Sequence, residues 1–220
     1  LFTLISNQEF QPQKIVFQKL FLLPSHRLAK MTSPKTSPRV ILGLMTYGPP
    51  SVSDARVTSV DEFRRHLDAF QSLGGTEIDT ARIYMGGEQE KFTAEAGWRE
   101  RGLSIATKSY PLPPGGPGSH NVRKDLETSL ADLGTDSVDI FYLHHADRST
   151  PFQETLAEVD KLYKEGKFKV LGLSNFAALE IAEVMLLCHH HGWVRPKIYQ
   201  GVYNALSKLA VSFAQYLTDY

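Results

Sequence analysis

From Val40 onward, short apolar runs alternate with longer segments whose apolar residues recur at helical spacing. The runs VILGLMTYG, TEIDTA, LSIATKS, SVDIFYLHH, FKVLGLSN and PKIYQGVYN are of strand length and lack a sustained helical period, so they predict six strands. Between them lie amphipathic stretches with helix punctuation. Ser59 and Glu62 form a capping-box pattern ahead of Phe63, Leu67, Phe70 and Leu73, with Gly74 and Gly75 as the stop. Val122, Leu126, Leu130 and Leu133 make one helix face closed by Gly134, while Thr150, Pro151 and Gln153 begin another that stops at Gly166.

Strands apolar on both faces and joined by helices imply a parallel sheet with right-handed crossovers. A doubly wound open sheet would carry a glycine-rich turn after its first strand, and that fingerprint is missing from the sequence. A closed (β/α)8 TIM barrel instead sets its functional residues at the carboxyl ends of successive strands. The polar residues follow that rule: Asp79 ends the second run, Lys108 the third, His144 the fourth, Ser174 and Asn175 the fifth, and Gln200 the sixth. This one-sided placement favours the barrel.

Composition narrows the picture. A chain of 220 residues, 42% hydrophobic and 22% charged, supports one globular core better than two. With 24 Lys plus Arg against 24 Asp plus Glu there is no overall field to attract nucleic acid or an anionic membrane, so neither is an expected partner. The longest apolar stretches fall short of the roughly 20 residues of a membrane span. The lone Cys188 sits in the apolar stretch EVMLLCHHHG, where a buried structural thiol in a reducing, cytoplasmic setting is the expectation. Residues 1–39 carry few acidic groups and end in a Ser/Pro/Thr/Lys run; they read as a leader or disordered extension ahead of a barrel domain over 40–220. The His189 to His191 run points three ways around a helix and cannot converge on one metal ion, whereas it suits a helix's last turn. The PLPPGGPGSH segment after the third strand is expected to be a loop at the barrel mouth.

Four of the singled-out residues make chemical sense together. A tyrosine hydroxyl is a poor acid at neutral pH unless a nearby cation stabilises the phenolate. If Lys108 approaches Tyr84 across adjacent strand ends, its ammonium can serve, with Asp79 holding that ammonium and His144 offering a donor to a substrate carbonyl. Such a group protonates an oxygen that is becoming an alkoxide, as when hydride attacks a carbonyl. Each residue alone has another reading: a strand-end Asp is often a turn residue, and a barrel lysine can be solvated or form a Schiff base.

The stretches IDTARIYMGG, IATKS, DIFYLHH, VLGLSNF and YQGVYN resemble the aldo-keto reductases, in order and over about residues 40–206. FYLHHADRSTPFQETL and GKFKVLGLSNFAALEIAEV resemble the aflatoxin-aldehyde reductase branch in particular. The resemblance implies a catalytic tetrad of Asp79, Tyr84, Lys108 and His144, with Tyr84 as general acid. It further implies NADPH, its nicotinamide carboxamide held by Ser174, Asn175 and Gln200. The substrate class implied is a small aldehyde or ketone, dicarbonyls among them, and a homodimer is the assembly to test. The alternative is a non-catalytic, truncated or regulatory nucleotide-binding member of the family. Ala146 stands where the branch usually has proline. After YNALSK the resemblance stops, and LAVSFAQYLTDY supplies no further strand, although Leu206, Leu209, Phe213 and Leu217 have helical spacing. About six of eight strand and helix units are therefore expected, and a barrel left open at two edges is expected to be aggregation-prone on its own.

Overall fold

The computed structural model describes residues 39–111, 118–202 and 204, and within them each of the six apolar runs contains a strand. Residues 1–38 of the leader, residues 112–117 of the PLPPGGPGSH segment and the helical spacing at Leu206 to Leu217 lie outside the described residues, whereas Gly118 to His120, expected as loop, already begin a helix. In chain order the elements are β1 (Leu42–Gly43), α1 (Val60–Ser72), β2 (Glu77–Asp79), a 3-10 turn (Tyr84–Gly87), α2 (Gln89–Glu95), β3 (Ser104–Ser109), α3 (Gly118–Leu133), β4 (Val138–Leu143), α4 (Phe152–Lys164), β5 (Phe168–Ser174), α5 (Ala178–His191) and β6 (Ile198–Gln200).

Local sequence explains most boundaries. Ser59 adopts an extended conformation and its hydroxyl accepts the Glu62 N–H at 3.4 Å, while Asp61 and Glu62 sit at the positive end of α1. Phe63 and Leu67 are buried, but Leu73 is the C-cap and 88% exposed, so the apolar spacing that reaches Leu73 outruns the helix by one residue. At α4 the N-cap is Pro151, and the Thr150 hydroxyl donates to Asp147 at 2.8 Å rather than capping the helix. Helix α2 was not predicted. Its buried positions are Gln89, Glu90, Phe92 and Thr93, so an apolar period is absent from the sequence.

All five strand pairings are parallel, in the order β1 to β6. Alternation sorts the strand residues into two layers. Ile78, Ile105, Phe141, Leu171 and Leu173, with Leu44 just past β1, join the helix residues Phe63, Leu67, Leu126, Leu156, Val159 and Val184 in the main core. Ala106, Ile140, Tyr142 and Ile198 form a second cluster on the concave face. Lys108 is in register with Tyr142, Tyr142 with Gly172, and Gly172 with Ile198, so one interior tier crosses four strands. Gly172 is needed there: a Cβ on it would lie 2.3 Å from the Tyr142 ring.

The sheet curls. In a flat sheet, β2 and β6 would stand about 19 Å apart, four steps of about 4.8 Å. Instead, Gln200 Nε2 donates to Asp79 Oδ1 at 3.3 Å. The described residues thus form a curled half-barrel with helices outside, a partial (β/α)8 architecture whose carboxyl strand ends converge on one rim.

Candidate active site

Asp79, Ser174 and Gln200 are the last residues of β2, β5 and β6, Lys108 is next to last in β3, and His144 follows β4. Parallel pairing therefore brings them to the same rim. Lys108 is fully buried and lies on the inner face, where its ammonium donates to Asp79 Oδ2 at 2.5 Å, to the Thr80 carbonyl at 2.6 Å and to the Tyr84 hydroxyl at 3.2 Å. An ammonium has three N–H groups, and all three have acceptors. The Tyr84 oxygen accepts from Lys108, which leaves the tyrosine's own proton free to be donated elsewhere. The ammonium also lies 4.8 Å from the centre of the Tyr84 ring and 5.9 Å from that of Tyr142.

Tyr84 reaches this position from the 3-10 turn after β2. The chain continues alongside β3 beyond the strand, with Thr80 N donating to Ala106 O at 2.9 Å and Arg82 N to Lys108 O at 3.1 Å. The His144 ring stands edge-on to Tyr84, 5.8 Å centre to centre. Burial, the Lys108 ammonium and neighbouring His145 lower the His144 imidazole to about 3, so the ring is neutral across the physiological range. Its Nδ1 is buried without a hydrogen-bond partner among the described residues. His145 behaves differently: its Nδ1 bonds the Ala146 carbonyl at 2.9 Å, and its ring lies against Tyr110.

The remaining three predicted residues frame the opposite side of the rim. Ser174 pairs in register with Gln200, and both are buried. Asn175 has a positive φ of 57°, a conformation asparagine tolerates, and its side-chain N–H donates to the His144 carbonyl at 3.0 Å and to Ser174 Oγ at 3.1 Å. All seven sequence-predicted site residues thus come together at the carboxyl rim.

The aldo/keto reductase family profile matches residues 39–214. The chain belongs to the aldo/keto reductase family. Among its relatives, it is 41% identical over 187 residues to aldo-keto reductase pigE of Monascus ruber, covering 80% of this chain and 54% of that protein. To aflatoxin B1 aldehyde reductase member 2 of Homo sapiens it is 40% identical over 191 residues, 84% of this chain and 51% of the other. A Pseudocercospora fijiensis aldo-keto reductase is 44% identical over 147 residues, 64% of this chain and 49% of its own. The chain spans about half the length of these curated relatives.

Residues around the aldo/keto reductase rim that the sequence did not single out include Tyr110, whose ring stands perpendicular to His144 at 5.6 Å, and the ionic group of Arg82 and Asp132 about the buried Glu90. Tyr110 follows a predicted strand directly and was findable on that ground. The ionic group was not, because its members come from a turn and two helix faces. The histidine run ends α5, with His191 stacked on Trp193 at 4.2 Å, and no group of three or more metal-ligating side chains occurs among the described residues. Cys188 is buried, and burial together with Asp160 pushes its thiol up to about 12. No helix among the described residues is long and apolar enough to cross a membrane.

Proposed function

We propose that the protein carrying this chain reduces aldehydes, dicarbonyls among them, to alcohols with NADPH, and that Tyr84 gives the proton. The observation that carries this reading is the fully used Lys108 ammonium, whose third N–H rests on the Tyr84 oxygen. The aldehyde class comes from family membership and from relatives named as aflatoxin B1 aldehyde reductases.

The residues present fit the nicotinamide end of such a cofactor. A hydroxyl and two amides on paired strand ends, Ser174, Asn175 and Gln200, offer the donors and acceptors that a carboxamide requires. When bound, the reduced nicotinamide supplies hydride to the carbonyl carbon. The C=O π pair moves onto oxygen, and the Tyr84 O–H bond breaks to protonate it, leaving a phenolate that solvent later reprotonates. Lys108 stabilises that phenolate, Asp79 keeps the ammonium in place, and neutral His144 orients the carbonyl oxygen. Schiff-base chemistry at Lys108 is disfavoured, since it requires a free amine where all three N–H groups are bound.

Para-nitrobenzaldehyde and NADPH test the proposal. The protein should consume NADPH and yield the alcohol, and Tyr84→Phe should lower the rate by about 100- to 10,000-fold while NADPH still binds. Near-native turnover in that variant would remove Tyr84 from the role.

A further inference from the structure

The buried charges that the proton transfer does not use lie on the other side of β3. Lys108 points into the concave face, and Thr107 beside it points outward, where its hydroxyl donates to Glu90. Glu90 is fully buried; Ser129 donates to its second oxygen at 2.9 Å. Arg82 Nη1 pairs with Glu90 at 2.8 Å and with Asp132 at 2.6 Å. Burial raises the Glu90 carboxyl, and the Thr107 hydroxyl, Arg82 and the Ser129 hydroxyl partly offset that.

Arg82 stands two residues before Tyr84, and its bonds bracket it. Its Nη2 donates to the Gly87 carbonyl beyond the tyrosine, and its backbone N–H donates to the carbonyl of Lys108, the residue whose ammonium touches the Tyr84 oxygen. A guanidinium serving only to join α2 and α3 would end at Glu90 and Asp132. The turn also needs an external hold. Met85, Gly86 and Gly87 have positive φ of 51°, 65° and 96°, and such backbone at a residue like Met85 persists only where its surroundings over-determine it. The guanidinium sits so close that a Cβ on Gly87 would lie 2.8 Å from Nη2.

We propose that Arg82 is a positioning residue for Tyr84: locked by Glu90 and Asp132, it holds the strained turn that sets the tyrosine hydroxyl against the Lys108 ammonium. This rests on the reading of Tyr84 as proton donor. Arg82 touches no reacting atom.

The test compares Arg82→Gln, Arg82→Lys and Glu90→Gln with Tyr84→Phe, in the protein carrying this chain, using NADPH and para-nitrobenzaldehyde. Arg82→Gln should lower kcat by up to about 100-fold, the cost of a misplacement of about 1 Å, with KM for NADPH nearly unchanged. Its kcat pH profile should move, and amide exchange over residues 83–88 should quicken. Arg82→Lys should recover part of the loss, because it restores the charge between Glu90 and Asp132 but not the reach to Gly87. Glu90→Gln, which keeps one acceptor oxygen but removes the charge that faces Arg82, should fall between. If Arg82→Gln does not fold, the other two variants carry the same test. Native kcat and pH profile in folded variants, with Tyr84→Phe inactive, would overturn the proposal and leave the cluster a helix fastener. Native turnover in Tyr84→Phe would instead overturn the acid reading, and the exchange of residues 83–88 would then decide alone whether Arg82 holds the turn.

Discussion

Two ion groups, each built around a fully buried charge, sit back to back across β3, and they are finished differently. On the helix side, both Glu90 oxygens and the Arg82 guanidinium have partners, and the carboxylate is sealed from solvent. On the concave side, Lys108 is equally well matched, but the Tyr84 hydroxyl that it meets is only half-buried and accepts from it, so its own proton can be given elsewhere. Desolvated polarity left open is costly in a structural cluster and useful in a site that must receive a carbonyl oxygen and a carboxamide. The difference separates a device for holding from a device for reacting.

The sharpest way to break this contrast is Lys108→Met. It should lower kcat by about 100- to 1,000-fold by removing the charge that stabilises the phenolate. The Asp79 carboxylate left buried without its partner should cost about 3 to 5 kcal/mol of stability, read by denaturant unfolding. Glu90→Gln, on the helix side, should move turnover less. Next in size is the tier beneath the ammonium: Gly172→Ala forces a methyl into the Tyr142 ring and should destabilise by about 1 to 3 kcal/mol in the same assay.

The third effect is a pH slope. His144 is held near 3 in the folded protein, below its ordinary 6.5, so the unfolded chain takes the proton first as pH falls. Stability from this group is present above about 6.5 and is lost down to about 3, at up to about 1.4 kcal/mol per pH unit. Glu90, Asp125 and Glu77, raised mainly by burial, act in the opposite sense as they protonate. The measurement is therefore the difference between native protein and His144→Gln, unfolded in denaturant from pH 7 to pH 4; the variant should show the shallower acid loss.

Much of the rim is legible in the sequence because a parallel strand ends where an apolar run meets a polar residue. Asp79, Lys108, Ser174 and Gln200 are marked in that way. Tyr84 lies in a turn that carries no period and is picked out by the chemistry it could share with Lys108 and Asp79, while its role as general acid is what the family resemblance implies. What stayed hidden has a common cause. The members of the Arg82, Glu90 and Asp132 group are charged residues that tertiary contact buries wholly at Glu90 and partly at the other two, so their sequence reads as surface, and α2 vanished with them. Tyr142 was also invisible as the floor under Lys108, because a strand apolar on both faces does not reveal which residues face inward. Leu73 erred the other way: helical spacing continued one residue past the cap.

The central claim is that Lys108 acts through the Tyr84 hydroxyl, and a double-mutant cycle on the single-turnover reduction of para-nitrobenzaldehyde by NADPH tests it most directly. With rates for native protein, Tyr84→Phe, Lys108→Met and the double variant, the double should be no more than about threefold slower than the slower single, because the cation has no phenolate left to stabilise. A double variant slowed by the product of the two single losses would mean that the two groups act independently, and would contradict the account.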